Sequence, residues 1–279
     1  MIWMMLVLVY GLLKGTREIV KKKSLERSSV IEVLFFYTLF AFLLVVPDAG
    51  NAMEVDVEKL PFIALKSFVI FIAWILSFKA IKKMPISLYG ILDLSRVLFA
   101  TILGIVVLKE ETTPGQLTGL VFVAAGLLML KKKKADSEKV EARIVVFALA
   151  SCMLNGVSGL FDKILTKTVT SSQLQFWYML FLVLFYLLYL MIDKTKVDIK
   201  KSVKNYWIWI LAILFVIADR ALFMANAMPE SKITIMTLIK QSGCLVTILA
   251  GKFIYREKNI GYKLVCAAVI VTGIVVAVL

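Results

Sequence analysis

The chain contains no histidine, which excludes histidine-ligated metals, His-based nucleophile activation and imidazole proton relays. Cysteine is scarce. Cys152, Cys244 and Cys266 all fall in apolar segments, without the spacing of a metal site or a disulfide framework. Acidic residues are outnumbered, 19 Asp and Glu against 33 Lys and Arg. No GxxxxGK phosphate loop occurs, so the chain is not expected to hydrolyse a nucleotide. HExxH, DxxD and a nucleophile beside a base are missing too, and the sequence does not read as an enzyme. The opening segment, MIWMMLVLVYGLLKG, lacks the basic start and small-residue cleavage site of a secretory leader.

Apolar residues are what the chain has in excess. Of 279 residues, 61% are hydrophobic, and the mean hydropathy is +0.91, whereas soluble domains are roughly 45–50% apolar. A bilayer-spanning helix takes about 20 mostly apolar residues. Ten candidate spans follow: 2–20, 29–47, 60–81, 85–108, 114–131, 143–163, 172–192, 205–227, 232–254 and 260–279. Backbone groups in hydrocarbon must satisfy each other, which predicts an all-α integral membrane protein. The net charge of +14 sits largely in clusters between apolar runs, such as KKK at 21–23 and KKKK at 131–134. Such clusters read as topology signals and contacts to anionic lipid, not as a nucleic-acid surface. Connections after odd-numbered spans carry 20 Lys and Arg, against five after even-numbered spans. That asymmetry puts the odd connections in the cytoplasm and both termini outside.

The basic linker KKKKADSEKVEAR, 131–143, divides the chain nearly in half. Across it, Gly104/Gly251, Glu110/Glu257, Leu117/Leu264 and Gly126/Gly273 keep one offset of 147 residues, as do Ala80/Ala227, Ser95/Ser242 and Leu98/Leu245. Gly11 matches Gly156 with a slip of two. The expected organisation is a first five-helix repeat over 1–131, a cytoplasmic linker over 132–142 and a second repeat over 143–279. Halves of odd span count enter the membrane from opposite sides, which gives two inverted repeats around a central cavity and a route to alternating access.

Leu108-Lys109-Glu110, followed by Gly119 and Gly126, resembles the "lgE…G…G" signature of EamA-type transporters in the drug/metabolite transporter superfamily. Tyr255-Arg256-Glu257 with Gly273 is similar, although Cys266 stands where that pattern has Gly. Ala80-Ile-Lys-Lys-Met-Pro85 resembles its "AL…P" junction, and the second-half Pro229 is displaced from it. The resemblance implies a ten-helix basket that moves small organic solutes across a bacterial or archaeal inner membrane. It also implies cytoplasmic termini, against the charge count.

Five charges interrupt apolar spans: Asp93, Arg96, Asp219, Arg220 and Lys240. A charge at a helix centre costs on the order of 2.5–3.5 kcal/mol on insertion scales, so it faces the bundle interior, pairs, or lines a route. Asp93 and Arg96, three apart, can pair on one face. Asp219 and Arg220 point about 100° apart and must seek other partners, such as Asp219 with Lys240. One reading makes these charges structural pairs. The other makes them a solute site, with Tyr89, Trp74, Asn155, Asn226 and Gln241 beside them. A surplus of positive charge there favours a carboxylate or phosphate. Lys66 and Lys79 are expected to snorkel, and Lys14, Arg17 and Glu18 to do the same or to mark a cavity mouth. Trp177, Tyr178, Trp207 and Trp209 read as interface anchors. Gly11-xxx-Gly15 and Gly115-xxx-Gly119 mark close helix packing, and Glu110 and Glu257 are expected to cap the next helix. The expected partners are a small-molecule solute and membrane lipid, with no cofactor and no nucleic acid. Alternatives are a multidrug or cationic-compound exporter, a lipid carrier, or a structural membrane protein.

Overall fold

The computed structural model describes residues 2–108, 113–132, 140–165, 168–193, 197–226, 228 and 239–278. Among them the regular structure is helical throughout: α1 (Ile2–Leu25), α2 (Val30–Val45), the short α3 (Ala49–Ala52), α4 (Leu60–Lys83), α5 (Ile86–Asp93), α6 (Ser95–Leu108), α7 (Pro114–Lys132), α8 (Ala142–Leu165), α9 (Ser171–Asp193), α10 (Ile199–Lys204), α11 (Tyr206–Asn226), α12 (Ser242–Phe253) and α13 (Ile260–Val278). Among the described residues, three helical stretches, Val57–Lys83, Ala142–Asp162 and Ser171–Ile192, have both the length and the hydropathy of a bilayer span. Val30–Val45, Pro114–Leu130, Ser242–Phe253 and Ile260–Val276 are apolar but shorter.

Local sequence explains where the helices begin. Ser29 and Glu32 form a capping box at α2, with the Glu32 amide donating to Ser29 Oγ at 3.3 Å and the Ser29 amide to Glu32 Oε2 at 2.7 Å. Thr113 with Gln116 repeats the arrangement at α7, and Thr170 with Gln173 at α9. Each box satisfies amides that the first turn of a helix otherwise leaves open.

The two halves are related by a pseudo-two-fold axis. A Cβ added at Gly126 of α7 would meet Ile270 and the Cys266 carbonyl of α13, and one at Gly273 of α13 would meet the Gly119 carbonyl and the Val123 amide of α7. At the offset of 147, Gly126 corresponds to Gly273, Gly119 to Cys266 and Val123 to Ile270. The contact is therefore self-complementary, as a two-fold axis requires. Gly115 near the start of α7 meets Val276 near the end of α13, and the Tyr262 hydroxyl donates to the Met129 carbonyl at 2.6 Å. The equivalent helices thus run antiparallel, so the repeats are inverted. Elsewhere α1 packs along α11 as α8 packs along α4, and α1 against α12 as α8 against α6.

The expected continuous span 85–108 is broken. α5 ends at Asp93, Leu94 makes the turn, and α6 starts at Ser95. The same break occurs at Gln241, before α12. The Val97 amide donates to the Leu94 carbonyl at 3.2 Å and the Cys244 amide to the Gln241 carbonyl at 2.9 Å, tight three-residue steps at equivalent positions. Helical periodicity runs through both breaks, which is why the sequence reads as one span.

Connections after the first, third, seventh and ninth candidate spans gather at one end. There the Asp198 amide donates to Glu32 Oε1 at 3.1 Å, Asn205 Nδ2 to the Ser24 carbonyl at 3.0 Å, and Lys22 Nζ to the Met84 carbonyl at 2.6 Å.

Candidate functional site

The site is built around α1. Gly11 and Gly15 on α1 cross Gly243 on α12 so closely that a Cβ on Gly15 would lie 2.6 Å from the Gly243 carbonyl oxygen. This small-residue crossing carries the polar half of α1 into the interface between the repeats. Lys14 Nζ lies 2.7 Å from Asp93 Oδ2, and Arg96 Nη2 lies 2.9 Å from Asp93 Oδ1. One turn along α1, Arg17 Nη1 lies 3.8 Å from Asp219 Oδ1 on α11. The Arg17 guanidinium stands over the Phe215 ring at 5.1 Å, and among the described residues its buried Nε and Nη1 groups have no hydrogen-bond acceptor. Lys21 pairs with Glu18 at 2.7 Å within α1.

The other sequence candidates are placed as follows. Tyr89 is buried, its hydroxyl 2.5 Å from Ser77 Oγ. Trp74 packs its ring 5.4 Å from Tyr37 and 5.9 Å from Phe215, beside Arg17. Lys240 stands 5.9 Å from the Tyr10 ring centre and, among the described residues, pairs with no carboxylate within 4.0 Å. Gln241 lies at the second break. Lys14, Glu18, Asp93, Lys240, Gln241 and Thr247 border a hollow of about 10 Å³ between the halves, room for about one water. Asn155 is turned back on its own helix, its Nδ2 donating to the Ser151 carbonyl at 2.7 Å. Asn226 closes α11, and its side chain lies outside the described residues. Glu110, Pro229 and residues 232–238 of the expected ninth span lie outside them as well.

The structure corrects several expectations. Arg220 is exposed, on the stripe of α11 that carries Ile213, Ile217 and Met224, whereas Asp219 beside it is half-buried. Asp219 pairs with Arg17, not with Lys240. Lys66 does not snorkel; it is buried, 3.0 Å from Asp162 and 4.1 Å above the Tyr178 ring. Tyr178 is therefore a core residue beside Asp219 and not an interface anchor. Lys14, Arg17 and Glu18 stand in the interface and not at a helix end. An amphipathic stripe on α1 was the signal available: positions 14, 17, 18 and 21 recur at helical spacing.

Glu257 does not cap the following helix. Arg256 and Asn259 take positive φ values of 50° and 58°, folding the turn after α12 back on itself. The Glu257 carboxylate then accepts from the Ile86 amide at 2.6 Å and the Ser87 amide at 3.3 Å, capping α5 in the other repeat. Ser87 Oγ and Lys263 Nζ, the latter at 3.0 Å, also donate to it. Nearby, Lys22 and Lys23 lie over the Tyr255 ring at 4.9 and 5.3 Å. Partial burial pushes the Tyr255 phenol above its ordinary range, so it stays neutral.

These features agree with what the chain is similar to. A solved structure titled "Crystal structure of protein" shares 15% identity with it, over 99% of this chain and 96% of its own, with a TM-score of 0.66. At that identity the likeness speaks for the fold alone. Curated proteins yield no match. The model of the EamA-like transporter family matches residues 1–131 and, separately, residues 142–279. With both halves matched by that one family, the chain belongs to the EamA-like transporters, multi-pass membrane proteins of the drug/metabolite type.

Proposed function

We propose that this protein is a secondary transporter that carries a small anionic or zwitterionic metabolite across the cytoplasmic membrane by alternating access. The observation that carries the reading is Arg17: a guanidinium inside the bundle whose Nε and Nη1 donors have no acceptor among the described residues and whose nearest described carboxylate oxygen is 3.8 Å away. Leaving buried N–H donors unmet costs about 1–3 kcal/mol, more on a charged group. A carboxylate or phosphate satisfies such a fork in two-point fashion. Lys240 supplies a second cation near the same axis, and Asp219 receives an amino group or a coupling proton.

Ten spans, divided as 1–131 and 143–279 around the linker 132–142, give each half an equivalent conformation to exchange. The matched breaks at Leu94 and Gln241 support the exchange, because each lets half a span tilt without moving the other half. In this conformation the hollow between the halves holds about 10 Å³, which fits an occluded state. The basic end, with the connections after spans one, three, seven and nine, faces the cytoplasm by the Lys/Arg rule.

The second reading, a carrier of cationic or aromatic compounds, is favoured by the cluster of Tyr37, Trp74 and Phe215, whose ring centres lie 5.4 to 5.9 Å apart. A thermal-shift screen of the purified protein with amino acids, phosphorylated sugars, nucleosides, amines and cationic dyes separates the two. Anionic or zwitterionic solutes should raise the melting temperature of the wild type and not of Arg17→Gln. Stabilisation by dyes alone, kept in Arg17→Gln, overturns the proposal in favour of the second reading.

A further inference from the structure

Two hollows open at the basic end of the molecule, away from the Lys14–Asp93 and Arg17–Asp219 pairs, each lined by residues of both halves. The smaller, about 250 Å³, lies where the start of α2, the end of α4 and the start of α8 meet. Lys79, Lys82, Lys83 and Arg143 border it, with Glu141 as the sole carboxylate of the lining among the described residues. Its apolar floor is Val30, Ile144 and Phe147. Arg143 lies over the Phe147 ring at 5.3 Å, and Lys82 Nζ reaches the Ser28 carbonyl at 3.3 Å. The larger hollow, about 640 Å³, shares Lys82 and adds Lys22, Arg27 and Lys201.

We infer that the notch between α2, α4 and α8 is a binding site for the headgroup of an anionic phospholipid. Four cations against one carboxylate make a site for a phosphate-bearing group. Basic pockets between helix ends on the cytoplasmic side suit lipid headgroups. The apolar floor selects a lipid over a free phosphate, since a small hydrated anion gains nothing from Ile144 or Phe147. Along α8, Val146 and Met153 face outward two turns apart, 59% and 45% exposed, and offer acyl chains a continuous surface leading from the notch.

The fold does not require these charges. At the offset of 147, Lys79, Lys82 and Lys83 correspond to Asn226, Pro229 and Glu230. The equivalent positions of the second repeat thus carry no cation. A general excess of Lys and Arg explains a topology preference, but not their convergence with three apolar side chains on one notch.

The test uses the delipidated full chain in neutral detergent, with thermal melting and native mass spectrometry as readouts. The probes are dioleoyl phosphatidylglycerol, dioleoyl phosphatidylcholine and inorganic phosphate. Phosphatidylglycerol should be retained and should raise the melting temperature, while phosphatidylcholine and phosphate should not. Lys82→Gln/Arg143→Gln should weaken retention roughly tenfold or more, and Lys200→Gln/Lys204→Gln, on the same face outside the notch, should leave it unchanged. Should Lys82→Gln/Arg143→Gln melt lower in phosphatidylcholine alone, Lys79→Gln/Lys83→Gln carries the same comparison. Equal weakening by the outside pair, equal retention of phosphatidylcholine, or full displacement by inorganic phosphate overturns the inference.

Discussion

Arg17 of α1 faces Asp219 of α11 across 3.8 Å, close enough to neutralise it and too far to hydrogen-bond. A purely structural pair would be expected to close that gap. Asp219→Leu strands the guanidinium, and breaking one side of a buried pair costs about 3–5 kcal/mol. The melting temperature of Asp219→Leu should therefore fall well below wild type. Arg17→Met/Asp219→Leu should recover most of that loss, yet bind no solute and show no uptake in vesicles. A double variant that melts like wild type and still transports would reduce the pair to scaffolding.

Asp219 is also the proton-carrier candidate in the second half, since the chain has no histidine to serve. Asp219→Asn keeps the shape and removes the titration. If a proton drives transport, uptake by this variant should lose its pH dependence while solute exchange across equal pH persists. Proteoliposome uptake measured against an imposed pH gradient decides the matter: an unaltered gradient response takes Asp219 out of the coupling step.

The crossing of α7 and α13 should be the least tolerant place for added side-chain volume. A Cβ at Gly273 would lie 2.8 Å from the Gly119 carbonyl oxygen and 3.0 Å from the Val123 amide, backbone atoms that cannot step aside. Gly273→Val should destabilise by about 1–3 kcal/mol or more, read as a lower melting temperature in detergent. Gly261→Ala, at a position with nothing among the described residues within 4 Å, is the control and should melt like wild type.

The glycine crossings were legible because close backbone approach restricts the residue itself: Gly126 and Gly273 keep their offset whatever surrounds them. The Asp93–Arg96 pair was legible because partners three apart share a helix face. The rest of the site was not, because its contacts join residues remote in sequence. Lys14 and Asp93 are 79 apart, and Glu257 caps an amide 171 residues away. Periodicity reports which face a residue occupies, not which helix comes to meet it. Arg220 and Asp219 show how much one position matters. Asp219 faces inward, and one residue of rotation is enough to turn Arg220 outward.

Glu257 should act as a latch on the basic end. Its carboxylate holds the start of α5 through Ile86 and Ser87, while Lys263 neutralises it from its own repeat. On the proposed alternating-access cycle, opening this end draws α5 away from that cap, so weakening the cap should favour the open form. Glu257→Gln keeps an acceptor oxygen but drops the charge, which is worth about half the strength of such bonds. Cys152, Cys244 and Cys266 are free and buried, so a cysteine placed at Ile86 can be followed over a low background. In Ile86→Cys, a membrane-impermeant maleimide applied to inverted vesicles should react slowly, and adding Glu257→Gln should speed the reaction severalfold. Faster labelling should come with a lower apparent affinity for solute offered from the opposite side, because an equilibrium drawn toward one open state leaves less of the other to bind it. Labelling that is unchanged by Glu257→Gln would show that the cap only fixes the helix start and does not hold the end closed.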